Sequence, residues 1–237
     1  STDIDGTVAI GESALASLTS GIGNVAVGYQ ALDAEDDGDY STAVGHQALT
    51  AQTGVSGSVA NTAVGFQACV NITKGRFNTA LGTSALYSED VGDRTVAVGY
   101  EALYTQNSDS DNETTGNTGV GYQCGYRNVT GTYNTWVGYN AGYGASGQSN
   151  SSNVGVGVNA MLQVTTGGEN AVLGYEAGYD LTSGAESVLI GSRAGYNLAT
   201  TNGNIAVGRY SLFTSTAAVD CVAIGRQAMY AGSATQA

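Results

Sequence analysis

Little in this chain is equipped for catalysis. One histidine, His46, and three scattered cysteines, Cys69, Cys124 and Cys221, leave almost no material for a catalytic triad or an imidazole metal cluster. The cysteines form no paired-thiolate spacing, and their odd number excludes a closed disulfide framework. Carboxylates are better grouped. The run 33–39 (Asp-Ala-Glu-Asp-Asp-Gly-Asp) and the stretch 109–113 (Asp-Ser-Asp-Asn-Glu) offer clustered oxygens of the kind Ca2+ takes. Neither follows an EF-hand loop or a calcium-binding nonapeptide, and nothing sets a pair of carboxylates at the separation glycoside cleavage needs. No catalytic, cofactor or metal residue is assigned, and Ca2+ at the acidic turns is the one ion worth testing. The remaining chemistry is recognition by tyrosine, whose ring offers a flat face to a sugar and a hydroxyl to a polar partner.

Composition narrows the class. Charged residues are 11 % of the chain, glycine is abundant with 36 copies, and proline is absent. Glycine without proline excludes collagen and polyproline linkers, while 42 % hydrophobic residues exclude a solvated disordered chain. With 7 Lys+Arg against 20 Asp+Glu the net charge is −13, which repels phosphate backbones and anionic lipid, so neither nucleic acid nor a membrane surface is an expected partner. No apolar run approaches the length of a membrane span. The first residue is not Met, and the chain is expected to be a segment of something longer.

Periodicity sets the architecture. The peptides ending at Leu32 (GNVAVGYQAL), Leu49 (YSTAVGHQAL), Leu86 (FNTALGTSAL) and Leu103 (RTVAVGYEAL) are copies of one unit. Its central glycine recurs as Gly11, Gly28, Gly45, Gly65, Gly82, Gly99, Gly121, Gly138, Gly157, Gly174, Gly191, Gly208 and Gly225, and nine of the twelve gaps equal the one from Gly11 to Gly28. The other three gaps are insertions, near 51–59, 107–116 and 144–152, after which the register returns. The position third before the glycine is mostly Val, Thr or Ile, the position just before it is always Val, Ile or Leu, and the position between them is small in most copies, as expected of a short strand with two unlike faces. Asn, Ser or Thr stands four before the glycine in twelve copies, a type that bonds nearby backbone and turns the chain. Ala stands three after it in eleven copies. A 17-residue unit has no room for an ordinary helix. The reading is all-β: a parallel β-roll or β-solenoid of about thirteen coils, each with two short strands and two turns, in a single repeat domain over 1–237. So narrow a coil buries little by itself, and the small column is expected to face a neighbouring backbone in an oligomer.

The copies SVLIGSRA (187–194), NIAVG (204–208) and CVAIGRQA (221–228) resemble the head repeats of YadA-like trimeric autotransporter adhesins, and the NTAVGYQAL flavour is similar to repeats in phage tail-fibre proteins. The resemblance implies a left-handed, homotrimeric β-roll displayed outside a virion or cell and a role in attachment. The adhesin heads repeat at a slightly shorter period. Trp136, Val172 and Leu189 place large residues in the small column, where close approach of a neighbour is hardest.

The function expected from this reading is a non-enzymatic, extracellular segment of a trimeric phage tail fibre that binds a glycan or protein receptor on the host surface. The alternatives are the head of a bacterial adhesin and, less in keeping with so narrow a coil, a polysaccharide-degrading tailspike or an ice-binding solenoid. Binding residues are expected in two places. Tyr29, Tyr100, Tyr122, Tyr139 and Tyr175 directly follow the motif glycine, in a column shared by His46 and Phe66. Ser56, Ser110, Asn112, Gln148 and Asn150 lie in the inserted loops, since loops on a rigid scaffold are where a distinct surface is built. A second tyrosine column stands five after the glycine (Tyr87, Tyr104, Tyr126, Tyr143, Tyr179, Tyr196 and Tyr230), and for both columns the alternative to sugar binding is that the stacked rings pack against each other or seal the trimer seam.

Overall fold

The computed structural model describes residues 6–53, 57–145, 147 and 149–231. Every regular element among them is a strand, and no helix there is long and apolar enough to cross a membrane. The chain divides into two compact units, Ser1–Asn117 and Thr118–Ala237. The first holds β1 (Val8–Ile10), β2 (Val25–Val27), β3 (Gly38–Asp39), β4 (Thr42–Val44), β5 (Gly57–Ser58), β6 (Thr62–Val64), β7 (Thr79–Leu81) and β8 (Val96–Val98). The second holds β9 (Thr118–Val120), β10 (Thr135–Val137), β11 (Val154–Val156), β12 (Ala171–Leu173), β13 (Val188–Ile190), β14 (Ile205–Val207) and β15 (Val222–Ile224).

The fold is a parallel β-solenoid built from the repeat. Each three-residue strand ends on the residue before a motif glycine, and within each unit it pairs in parallel with its counterpart in the neighbouring coil, as Ala43 does with Ala63 and Leu189 with Ala206. The first and third insertions leave this register untouched: Thr42 lies opposite Thr62 across the first, and Thr135 opposite Val154 across the third.

Two sequence expectations are corrected. A coil has one regular strand, not two; among the described residues second-side pairing is confined to β3 with β5 and a single parallel bridge between Asp93 and Thr114, each where an insertion lengthens the coil. Elsewhere the chain after the glycine alternates in hand, with φ of 52° at Gln30 and 51° at Leu32. Its amides still bond from coil to coil, Gln30 donating to Glu12 at 2.9 Å and Leu32 to Ala48 at 3.1 Å. The second side is therefore hydrogen-bonded without being pleated.

The small column, secondly, faces the interior of the same chain. Ala26, Ala43, Ala63, Ala80 and Ala97 are fully buried, as are Ala31, Ala48, Ala68, Ala85 and Ala102 and the Leu32, Leu49, Cys69, Leu86 and Leu103 that follow them. The branched neighbours point out: Leu81 is 47 % exposed and Leu173 49 %. A coil this thin leaves room for one methyl at the middle of the strand, which is why alanine stands there. Where it does not, the residues around it shrink. Trp136 is met by Gly142 in the turn opposite and by Gly155 at the strand centre of the next coil, and Leu189 by Gly178 and Gly195. Cys69 and Cys124 fill ordinary core positions as free thiols, and burial raises both above the usual range, Cys124 to about 12.

The polar column four before the glycine is also internal, and it joins coils to each other. Asn78 Nδ2 donates to Gly92 O at 2.8 Å while its Oδ1 accepts from Thr95 N at 2.9 Å. Asn153 Nδ2 donates to Gly167 O and its Oδ1 accepts from Asn170 N at 3.1 Å. Each buried amide thus satisfies backbone groups that a thin coil would otherwise strand away from water.

Candidate functional site

Because successive coils lie one interstrand spacing apart, rings at equivalent positions fall at stacking distance. In the column directly after the glycine, Tyr122 and Tyr139 stack with centroids 5.0 Å apart and planes 8° from parallel, and Tyr29, His46 and Phe66 form a tilted run at 4.9 and 5.4 Å. Tyr29, Tyr100, Tyr122, Tyr139 and Tyr175 are all exposed. They are not one continuous ladder, since Thr83, Val158 and Ser192 interrupt the column. The second tyrosine column packs on itself: Tyr87 on Tyr104, Tyr126 on Tyr143, and Tyr179 on Tyr196, each pair within 10° of parallel.

The loop residues fare unequally. Ser110 and Asn112 are exposed, and Asn112 Oδ1 accepts a hydrogen bond from Arg76 Nη2. This insertion is tied to earlier coils by the Lys74–Asp111 ion pair at 2.9 Å and by Arg94 Nη1 donating to Thr114 Oγ1 at 2.8 Å. Ser56 and Gln148 lie outside the described residues. Asn150 is corrected: it is buried, its backbone N–H donating to Asn128 Oδ1 and its carbonyl accepting from Asn134 Nδ2, so internal amides hold its backbone and its side chain is not on the surface.

The acidic turns are equally internal in part. Glu35, Asp36 and Asp37 bring carboxylate oxygens within 4.8 Å of one another. Yet Glu35 is fully buried, with Oε1 accepting from Gly38 N at 2.7 Å and Oε2 from Gln52 Nε2. Glu89 occupies the same place in another coil and accepts from Gly92 N at 2.8 Å and from Ser108 N and Oγ at 3.1 Å. Burial outweighs these bonds and holds the Glu89 carboxyl above its ordinary value of 4.5. A carboxyl raised in the folded state favours the protonated form there. Its contribution to stability is complete below the unfolded value and is lost as pH climbs through the folded one. Glu89→Gln is therefore expected to remove a decline in melting temperature that the wild type shows from about pH 4.5 upward, read by thermal melts across that range. Gln52 and Gln106 already occupy the equivalent place in the following coils, so the amide fits. Parallel pH profiles of the two proteins would refute the assignment.

A cluster that sequence reading missed lies in the second unit. Arg193 Nε donates to Glu176 Oε2 at 2.6 Å and Arg193 Nη1 to the Tyr210 hydroxyl at 3.2 Å, with its guanidinium 5.6 to 5.9 Å from the rings of Tyr175, Tyr210 and Tyr196. Arg209 lies over the Tyr210 ring at 4.6 Å and also reaches its hydroxyl, at 3.4 Å. The bond to Glu176 raises Arg193 further, and donation from Arg193 and then Arg209 lowers the Tyr210 phenol. The signal available in sequence is that Glu176, Arg193 and Tyr210 share one repeat position in three successive copies. Compared with known proteins, the chain matches no family model, no curated protein and no solved structure.

Proposed function

We propose that this chain is the structural and receptor-binding segment of a trimeric surface fibre, of the phage tail-fibre kind, that holds its virion to a host cell. The observation that carries the reading is the outward face of the strands. In the first unit Leu81, and in the second Val154, Leu173, Ile190 and Ile205, are aliphatic side chains 38 to 49 % exposed in positions that recur coil after coil. Solvent-facing strands ordinarily alternate apolar inside with polar outside, and a soluble monomer rarely shows so long an apolar stripe. Packing three such stripes around a common axis removes them from water. The resemblance of 187–194 and 221–228 to trimeric adhesin and fibre repeats points to the same stoichiometry. A repetitive, hydrogen-bonded scaffold with no grouped catalytic side chains among the described residues suits display and attachment rather than turnover.

Sedimentation equilibrium of the purified chain is expected to give about three times the 23.8 kDa chain mass, and a fluorescent conjugate is expected to label host cells. Leu173→Asp with Ile190→Asp is expected to lower the mass while leaving the far-ultraviolet spectrum intact. A wild-type protein that stays monomeric at micromolar concentration overturns the reading.

A further inference from the structure

Cations are scarce here, 7 against 20 acidic residues, and three of them gather on consecutive coils of the second unit. Backbone bonds place them in register: Arg193 N donates to Tyr175 O at 2.8 Å, Tyr210 N to Ser192 O at 3.0 Å, and Gln227 N to Arg209 O at 2.9 Å. Tyr175, Ser192, Arg209 and Arg226 are therefore successive members of the column that follows the glycine, and Glu176, Arg193, Tyr210 and Gln227 of the column beside it. Arg193 is neutralised by Glu176. Arg209 and Arg226 are both exposed, stand one coil apart, and have no carboxylate within ion-pair distance among the described residues. In so acidic a chain, two adjacent guanidinium groups without a counter-charge form a local reversal of the field, complementary to an anion.

The cluster is also pre-shaped. Arg209 rests on the Tyr210 ring, and the Tyr210 hydroxyl is held by Arg193 as well, so neither the ring nor the planar fork is free to wander. A guanidinium fork takes a carboxylate through two parallel hydrogen bonds. The exposed Tyr175 ring, with the Arg193 guanidinium over one face at 5.6 Å, adds apolar surface on which the C–H side of a sugar ring packs.

We propose that Arg209 and Arg226, with Tyr210 and Tyr175, bind a carboxylate-bearing saccharide such as a uronic-acid polymer. The site lies past the glycine corner, off the strand face assigned to trimer packing. This inference rests on the attachment reading and names the chemical class of its receptor.

Titration calorimetry with tetragalacturonate, maltotetraose and a tetraglutamate peptide tests it on the whole purified chain, without cells. Tetragalacturonate is expected to bind at low salt and to weaken at high salt, as exposed charge pairs are screened, and the neutral sugar is expected not to bind. Arg209→Gln with Arg226→Gln is expected to lower the acidic-sugar affinity at least about tenfold, while Arg127→Gln, whose guanidinium lies over Tyr143 in the same unit, leaves it unchanged. Absence of binding, equal binding of maltotetraose, equal binding of the acidic peptide, or undiminished binding by the double variant each overturns the site. A chain that labels host cells but ignores tetragalacturonate overturns this site alone. One that binds the sugar but no cell overturns the attachment reading and leaves the site standing.

Discussion

Gly65→Ala is expected to destabilise the first unit by more than about 4 kcal/mol, a large share of the stability of an ordinary domain. Two effects coincide. The residue sits at φ 140°, a region that L side chains rarely adopt, and an added Cβ would lie 2.5 Å from Gly82 O and 2.6 Å from Gly82 C in the next coil. The obstacle is backbone, so no rotamer relieves it. The nearest coils must separate, which breaks the hydrogen bonds that β6 and β7 share. Gly57→Ala separates strain from collision, because Gly57 has φ 105° but nothing within 4 Å of the same Cβ. It is expected to cost only the strained backbone, on the order of 1–3 kcal/mol. Urea unfolding followed by circular dichroism measures both, and equal losses would show that coil-to-coil contact at the glycine column is not what the glycine protects.

Trp136→Ala is expected to cost about 3–5 kcal/mol as a cavity in the core of the second unit. The buried indole Nε1 has no hydrogen-bond partner, which pulls the figure toward the lower end. Gly142→Leu alone is expected to be severe too, since its side chain would enter the indole ring. Its φ of 59° is not the difficulty, because Leu32, Leu86 and Leu103 adopt 51° at the equivalent place in other coils. Combined, the two changes recreate the alanine-opposite-leucine pairing of the first unit, as Ala97 with Leu103. The double variant is expected to be more stable than either single one, with a coupling of about 2–3 kcal/mol. Additive losses would mean that the strand centre and the turn opposite do not share one space. A small residual deficit is expected because Gly155 also faces the ring, with a Cβ position 2.5 Å from it.

The sequence by itself determined the repeat, the strand ahead of each glycine, the restoration of register after each insertion and the stacking of the tyrosine columns. All are consequences of covalent spacing: identical side chains one repeat apart must align once coils pair in parallel. It did not determine which face of the strand turns inward. Branched–small–branched alternation says that the two sides differ, and the same pattern serves a chain whose small residues meet a neighbour or meet its own opposite wall. The width of the coil decides this. With Ala26 and Leu32 both fully buried, the interior of such a coil is filled by a methyl from the strand and a leucine from the turn, so the branched column has to face out. Polar residues show the same division. Asn78 could be recognised as a backbone-bonding type, but its partners, Gly92 and Thr95, belong to the next coil. Burial of Asn150 followed from the bonds that Asn128 and Asn134 make to its backbone, not from its place in a loop rich in serine and asparagine. The arginine cluster was hidden for a related reason: its members come from successive copies of the repeat, and charge complementarity between Glu176 and Arg193 exists only after folding has brought positions in neighbouring coils to within 2.6 Å.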